Sequence, residues 1–229
     1  MAALEWDQPG ERLYETGVEN GVLYLIDDDN EYSEGYAWNG LTAVTESPSG
    51  AEPTPIYADN SKYITLMSAE EFGLTIEAYT YPDQFAECDG SKQLIAGAVI
   101  GQQPRKMFGL CYKTLLGNDI KNDSYGYKLH LIYGCLASPS EKAYQTVNDS
   151  PEATPFSWEV STTPVNVTNM KPTSCIVVDS TKFVTENQQA ALQKLLDALY
   201  GTDGAGSTAG TDPYLPLPDD VKTLLTPAS

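Results

Sequence analysis

Histidine occurs once in 229 residues, at position 130, and only 13 lysines and arginines stand against 32 aspartates and glutamates. A single imidazole argues against a histidine-built metal centre. The four cysteines, Cys88, Cys111, Cys135 and Cys175, stand far apart with no Cys-x-x-Cys pair, so zinc ribbons and paired redox thiols are not expected either. Buried, reduced thiols are the simpler expectation. The shortage of cations argues against tight phosphate binding, since nucleic-acid binders usually present a basic stripe. Here the densest basic pair is Arg105-Lys106 and the net charge is −19. No run approaches the ~18 apolar residues of a membrane-spanning helix, and the opening stretch MAALEWDQPGERLYETG has no apolar leader segment.

What the chain does have is a hydrophobic fraction of 41%, with 15 tyrosines, 15 prolines and 18 glycines. That mixture suits many short strands joined by turns better than a helical bundle. Residues 1–20 read as a polar arm. Strand candidates follow at 21–27, 36–46, 56–67, 74–81, 105–116, 127–138, 154–165 and 173–179. Leu74, Ile76 and Ala78 alternate with Thr75, Glu77 and Tyr79, and Phe156, Trp158 and Val160 with Ser157, Glu159 and Ser161. Leu129, Leu131, Tyr133 and Cys135 are expected to share one face. Ser68-x-x-Glu71 hints at a short helix, and residues 82–104 read as a loop long enough to be functional.

One segment is strongly helical. In TENQQAALQKLLDALYG, Thr185 and Gln188 form a capping box, Leu192, Leu195, Leu196 and Leu199 form a stripe, and Gly201 ends it. The predicted architecture is a mostly β, α+β domain over 21–200, a β-sandwich or partly closed barrel with one flanking helix at 185–200. A flexible linker and proline-rich tail over 201–229 complete it.

Tests for chemistry return little. GAGSTAG at 204–210 follows a helix rather than a strand and has no closing lysine, so it is not a phosphate loop. Asp27, Asp29 and Glu31 alternate like a calcium loop, but Tyr32 stands where glycine is needed. Glu77 and Glu159 have the residue type of a glycosidase pair, which requires them to face each other across a substrate. His130 has no nucleophile elbow beside it. No enzyme activity, metal or cofactor is expected.

Longer stretches carry a resemblance. The run LTAVTESPSGAEPTPIYADNSKYITLMSAEEFGLTIEAYTYPDQFAECDG, the block GYKLHLIYGCLASPSEKAYQTVNDSPEATPFSWEVSTTPV and the closing DPYLPLPDDV, together spanning roughly residues 38 to 222, are similar to the major tail proteins of long-tailed bacteriophages. That resemblance implies a β-sandwich with a flanking helix, hexameric rings stacked into a hollow tube, and a place in the virion after assembly in the host cytoplasm. Implied partners are copies of the chain, a length-setting tape measure, a tail terminator and a tail tip, with DNA passing through unbound. The family offers no catalytic residues. Some members add a C-terminal immunoglobulin-like domain, for which this chain has no matching segment.

On this reading the subunit-contact residues are Pro53, Pro55 and Tyr57 in the proline-stiffened connection, and Tyr81, Pro82 and Phe85 in the 82–104 loop. Glu77 and Glu159 are the acids expected on the wall of the bore, where carboxylates repel phosphate. The alternatives are a terminator or adaptor that forms one ring, and a carbohydrate-binding sandwich using surface Tyr and Trp.

Overall fold

A computed structural model describes residues 3–144, 146, 149, 153–204 and 209–227. Part of the glycine-rich stretch, residues 205–208, lies outside them, as do the two residues at each end.

The first strand, β1 (Leu13–Leu25), begins inside the stretch that reads as a polar arm. Its first half is exposed and its second half, Val22 to Tyr24, is buried, which is why only the latter looks like a strand in sequence. Left-handed Gly17 and Asn20 accompany two register shifts where it pairs with β11 (Phe108–Asn118). The 36–46 candidate is two strands, β2 (Glu34–Trp38) and β3 (Leu41–Glu46), turned at Asn39-Gly40. After β3 the chain makes β4 (Ser49–Gly50), β5 (Pro53–Ala58), β6 (Ser61–Met67) and β7 (Glu70–Glu71) before β8 (Gly73–Ala78). The Ser68–Glu71 capping signal therefore leads into strand β7, not a helix. A short hairpin, β9 (Lys92–Ile95) and β10 (Ala98–Ile100), follows. Then come β11, β12 (Asn122–Ala137), β13 (Phe156–Thr162), β14 (Cys175–Asp179), and helices α1 (Glu186–Tyr200) and α2 (Pro218–Leu225).

The main sheet runs β2-β1-β11-β12-β13-β8-β3, with β14 also on β12. It folds over on itself without closing into a barrel. Strand β12 makes the corner. Its middle, Lys128 to Ile132, pairs with β14 and its last three residues with β13, and between them Gly134 takes φ +61° where a Cβ would lie 2.1 Å from the Thr163 carbonyl oxygen. The bulge turns the strand over. Leu129, Leu131 and Tyr133 face the helices, whereas Ile132, Cys135 and Ala137 face the sandwich interior. Cys135 therefore does not share the face of the other three.

Two cores result. One lies between the sheet layers and is built on Leu23, Leu74, Ile76, Phe108, Leu110 and Trp158. The other lies between β1-β11-β12-β14 and the helices, where α1 buries Ala191, Leu192, Leu195, Ala198 and Leu199. The capping box is present, as the sequence predicts. The stretch expected to be a free tail is docked. Leu215 and Val221 are buried, the Leu215 amide donates to the Tyr32 carbonyl at 3.0 Å, and the Tyr133 hydroxyl donates to the Pro216 carbonyl at 2.9 Å. Pro218 starts α2, where its missing N–H costs nothing, with Asp219 and Asp220 in the first turn.

Candidate assembly surfaces

Residues 47–72 leave the sandwich as an arm. β5 and β6 pair from Pro53↔Met67 to Ala58↔Ser61, and β4 and β7 form a rung at the base. Asp59 and Asn60 both have positive φ, 48° and 60°, as a tight two-residue hairpin turn demands. Pro53 and Pro55 sit in a strand with one free edge, where a missing donor is tolerated. All of β5 is exposed, and Thr65 alone in β6 is half-buried. The register places Ile56 opposite Ile64 and Thr54 opposite Leu66 on one face. Tyr57 is 66% exposed and Tyr63 75%. An isolated two-stranded hairpin is marginal in water, and this one leaves its Ile, Leu, Met and Tyr side chains largely exposed.

The 82–104 segment divides into an anchored base and a projecting tip. Phe85, on a short 3-10 turn over Asp83–Glu87, is fully buried. Its ring lies 4.7 Å from Trp38, 5.1 Å from Trp158 and 5.5 Å from Phe108. Phe85 is therefore a plug in the core and cannot reach a neighbouring subunit. Tyr81, half-buried, packs edge-on against Phe85, Phe156 and Trp158, and Pro82 is half-buried at the start of the turn. Asp89 ties the base down, bonding Lys142 at 2.7 Å, while the Arg105 guanidinium donates to the Ala137 carbonyl at 3.0 Å. Beyond this base, β9 and β10 lift Leu94, Ile95 and Val99 into solvent, each more than 60% exposed.

Glu77 and Glu159 lie on adjacent strands on the same exposed face. Glu77 pairs with Ser157 and Glu159 with Thr75, which makes the two acids diagonal neighbours. They share a polar outer wall rather than opposing each other across a cleft. Trp38 and Trp158 are core residues, which removes them from any carbohydrate platform. In the acidic turn Asp27 accepts from the amides of Glu31 and Asp29, and the Glu31 amide and the Ser33 hydroxyl hold its carboxyl below the ordinary range. Its oxygen serves its own backbone. Among the described residues no cluster of His, Cys, Asp and Glu could hold a metal, and no helix is long and apolar enough to cross a membrane. The four thiols are free, and burial pushes those of Cys88, Cys111 and Cys175 up to about 12 and that of Cys135 still higher.

The lone histidine joins the two layers at their open end. His130 stacks on Tyr112 at 4.5 Å. Its Nδ1 is 3.1 Å from Glu46 of β3, and its Nε2 is 3.1 Å from the Thr114 hydroxyl and 3.6 Å from Glu15 of β1. Glu15 also bonds Lys128, and the Tyr112 hydroxyl donates to Glu46. The His130 bond outweighs burial and, with Tyr112, holds the Glu46 carboxyl below its ordinary value of 4.5. A carboxyl depressed in the folded state contributes stability that is present above its unfolded value and lost as pH falls through the folded one. His130→Gln removes the imidazole bond to Glu46, so the Glu46 value rises and the acid-unfolding midpoint is expected to move to higher pH. Circular dichroism across an acid titration checks this; coincident midpoints for the two proteins would remove Glu46–His130 from the account of acid stability.

No family model matches the sequence, and no curated protein matches it. Among solved structures, a chain in the six-fold symmetrised cryo-EM structure of the anti-feeding prophage baseplate is similar over 76% of this chain and 97% of its own length. The identity is 7% and the TM-score 0.36.

Proposed function

We propose that this chain is a structural virion protein whose copies join into hexameric rings and stack as a phage tail tube. The observation that carries the proposal is the arm over 47–72: a β-hairpin with exposed Ile, Leu, Met and Tyr, projecting from a domain whose cores take only Phe72, at its base, from the arm. Contiguous exposed apolar surface marks an interaction site, and a contact between different patches of identical chains gives rings or filaments. Pro53, Pro55 and Tyr57 serve that contact on the arm. Tyr81 and Pro82 contribute by holding the base of the second loop.

The acid excess supports a conduit. DNA must slide without sticking, and every cation on phosphate adds affinity. Repulsion from wall carboxylates reaches ~8 Å at physiological salt, enough for a narrow bore. Glu77 and Glu159 present two such carboxylates from one sheet face. The protein then acts without catalysis or cofactor, beside a tape measure, a terminator and a tail tip.

Electron microscopy of the concentrated, purified chain tests this. Long hollow rods are the expected result. Isolated single rings would assign the chain to a terminator or adaptor instead, and a monomer at every concentration would overturn self-assembly.

A further inference from the structure

The stretch 91–107, SKQLIAGAVIGQQPRKM, has no carboxylate in a chain of net charge −19; at its base Arg105 lies beside Asp89 and Lys106 is paired with Glu87, and Lys92, next to the tip, is the exposed cation. It carries the exposed aliphatic tip of the β9-β10 hairpin. A cleft of about 330 Å³ elsewhere on the domain has the opposite character. Its floor is Tyr32, Leu215 and Leu217, and its rim carries Glu31, Asp212 and Asp220. That volume lies within the ~300–1,000 Å³ typical of occupied pockets.

The fold sets where the two features lie. Leu25 pairs with Phe108, so the acidic turn after β1 and the hairpin before β11 emerge at the same end of the sheet. They lie on opposite faces of it. The base of the hairpin segment, through Phe85 and Cys88, belongs to the core between the layers, whereas Tyr32 and Leu215 belong to the core under the helices. A feature and its complement at one level but on opposite faces cannot meet within one chain. Contact between them requires two copies.

We infer that the β9-β10 hairpin of one copy seats its aliphatic tip in the acid-rimmed Tyr32–Leu217 cleft of the next copy within the same ring, with Lys92 against the rim. This inference rests on the proposed self-assembly and names the lateral contact within it. The contact is heterologous and repeats around a rotation axis, so it closes into a ring rather than stacking rings. Charge complementarity gives it direction and register.

Oxidative cross-linking of assembled Ile95→Cys/Tyr214→Cys protein tests it, since the native thiols are buried or half-buried. A ladder of covalent oligomers ending at the ring size is expected, with neither single variant giving one. An open-ended ladder would show that the hairpin bridges stacked rings and would overturn the lateral assignment. Rods without cross-links would overturn the contact while leaving tube assembly standing; a wild-type chain that never assembles would overturn both. Should the double variant fold without assembling, Ile95→Asp decides. It is expected to raise the concentration needed for assembly at least about tenfold, and assembly at the wild-type concentration would overturn the inference.

Discussion

A variant in which residues 53–67 are replaced by a short glycine-serine turn is expected to remain folded and to form no rods at concentrations where the wild type forms them. Residues 53–67 supply no side chain to either core. Its base survives the replacement, because Ser49 and Gly50 still pair with Glu71 and Glu70. Unfolding free energy should therefore change by about 0.5 kcal/mol or less, the range of surface changes away from packed features. The loss falls on association. Each large apolar side chain is worth about 1.5–3 kcal/mol when fully buried, and removing Ile56, Tyr57, Tyr63, Ile64, Leu66 and Met67 together takes away more than a weak contact can spare, even after ordering costs. Sedimentation velocity with a parallel denaturant melt separates the two effects. Rods from the shortened chain would contradict the role of the arm.

Phe85→Ala is expected to cost about 3–5 kcal/mol of folding stability, the usual toll of emptying a buried aromatic site. Phe85 is fully buried, and the four rings around it, Trp38, Tyr81, Phe108 and Trp158, come from separate parts of the chain. None can collapse into the space without leaving its own contacts. Domains are stable by only about 5–15 kcal/mol, so this substitution removes a large share. Leu94→Ala on the exposed tip is the control, expected to change stability by less than about 0.5 kcal/mol. Equilibrium urea unfolding measures both. A near-neutral Phe85→Ala would mean that the 3-10 turn is not part of the core. The same packing makes excision of the whole 83–100 stretch a poor probe of assembly, because it would unfold the domain along with removing the tip.

The two loops show what the sequence can and cannot reveal. The arm is β-like in sequence because Ile56, Tyr57, Tyr63 and Ile64 favour strands, yet the Asp59-Asn60 turn in its middle passes for part of one long strand. Phe85 is hidden by its neighbours, since Asp83, Glu87 and Asp89 give the segment the composition of a solvated loop while one ring drops into the core. The alternation of Leu74, Ile76 and Ala78, and of Phe156, Trp158 and Val160, is legible because each strand has one wet face. β11 and the inner part of β12 are covered on both faces, so their apolar runs do not alternate, and the flip at Gly134 depends on a contact with Thr163 that lies far away in sequence.

The helices divide in the same way. Thr185, Gln188 and the leucine stripe are local signals, and α1 follows them. The signals for α2 are also local, Pro218 at the first position with two acids after it. They are overshadowed by the proline-rich approach, which is docked by Tyr133 of β12 and by Tyr32 between β1 and β2, both distant in sequence. His130 is a different case. Its partners Glu15 and Glu46 come from β1 and β3, at separate places in the sheet order, and only the fold-over of that sheet brings them to one ring.

A cryo-EM reconstruction of the assembled chain tests the central claim most directly. The account predicts six copies per ring with Ile56, Tyr57, Tyr63 and Ile64 buried against a neighbouring copy. An ordered assembly in which those side chains stand in solvent would contradict it.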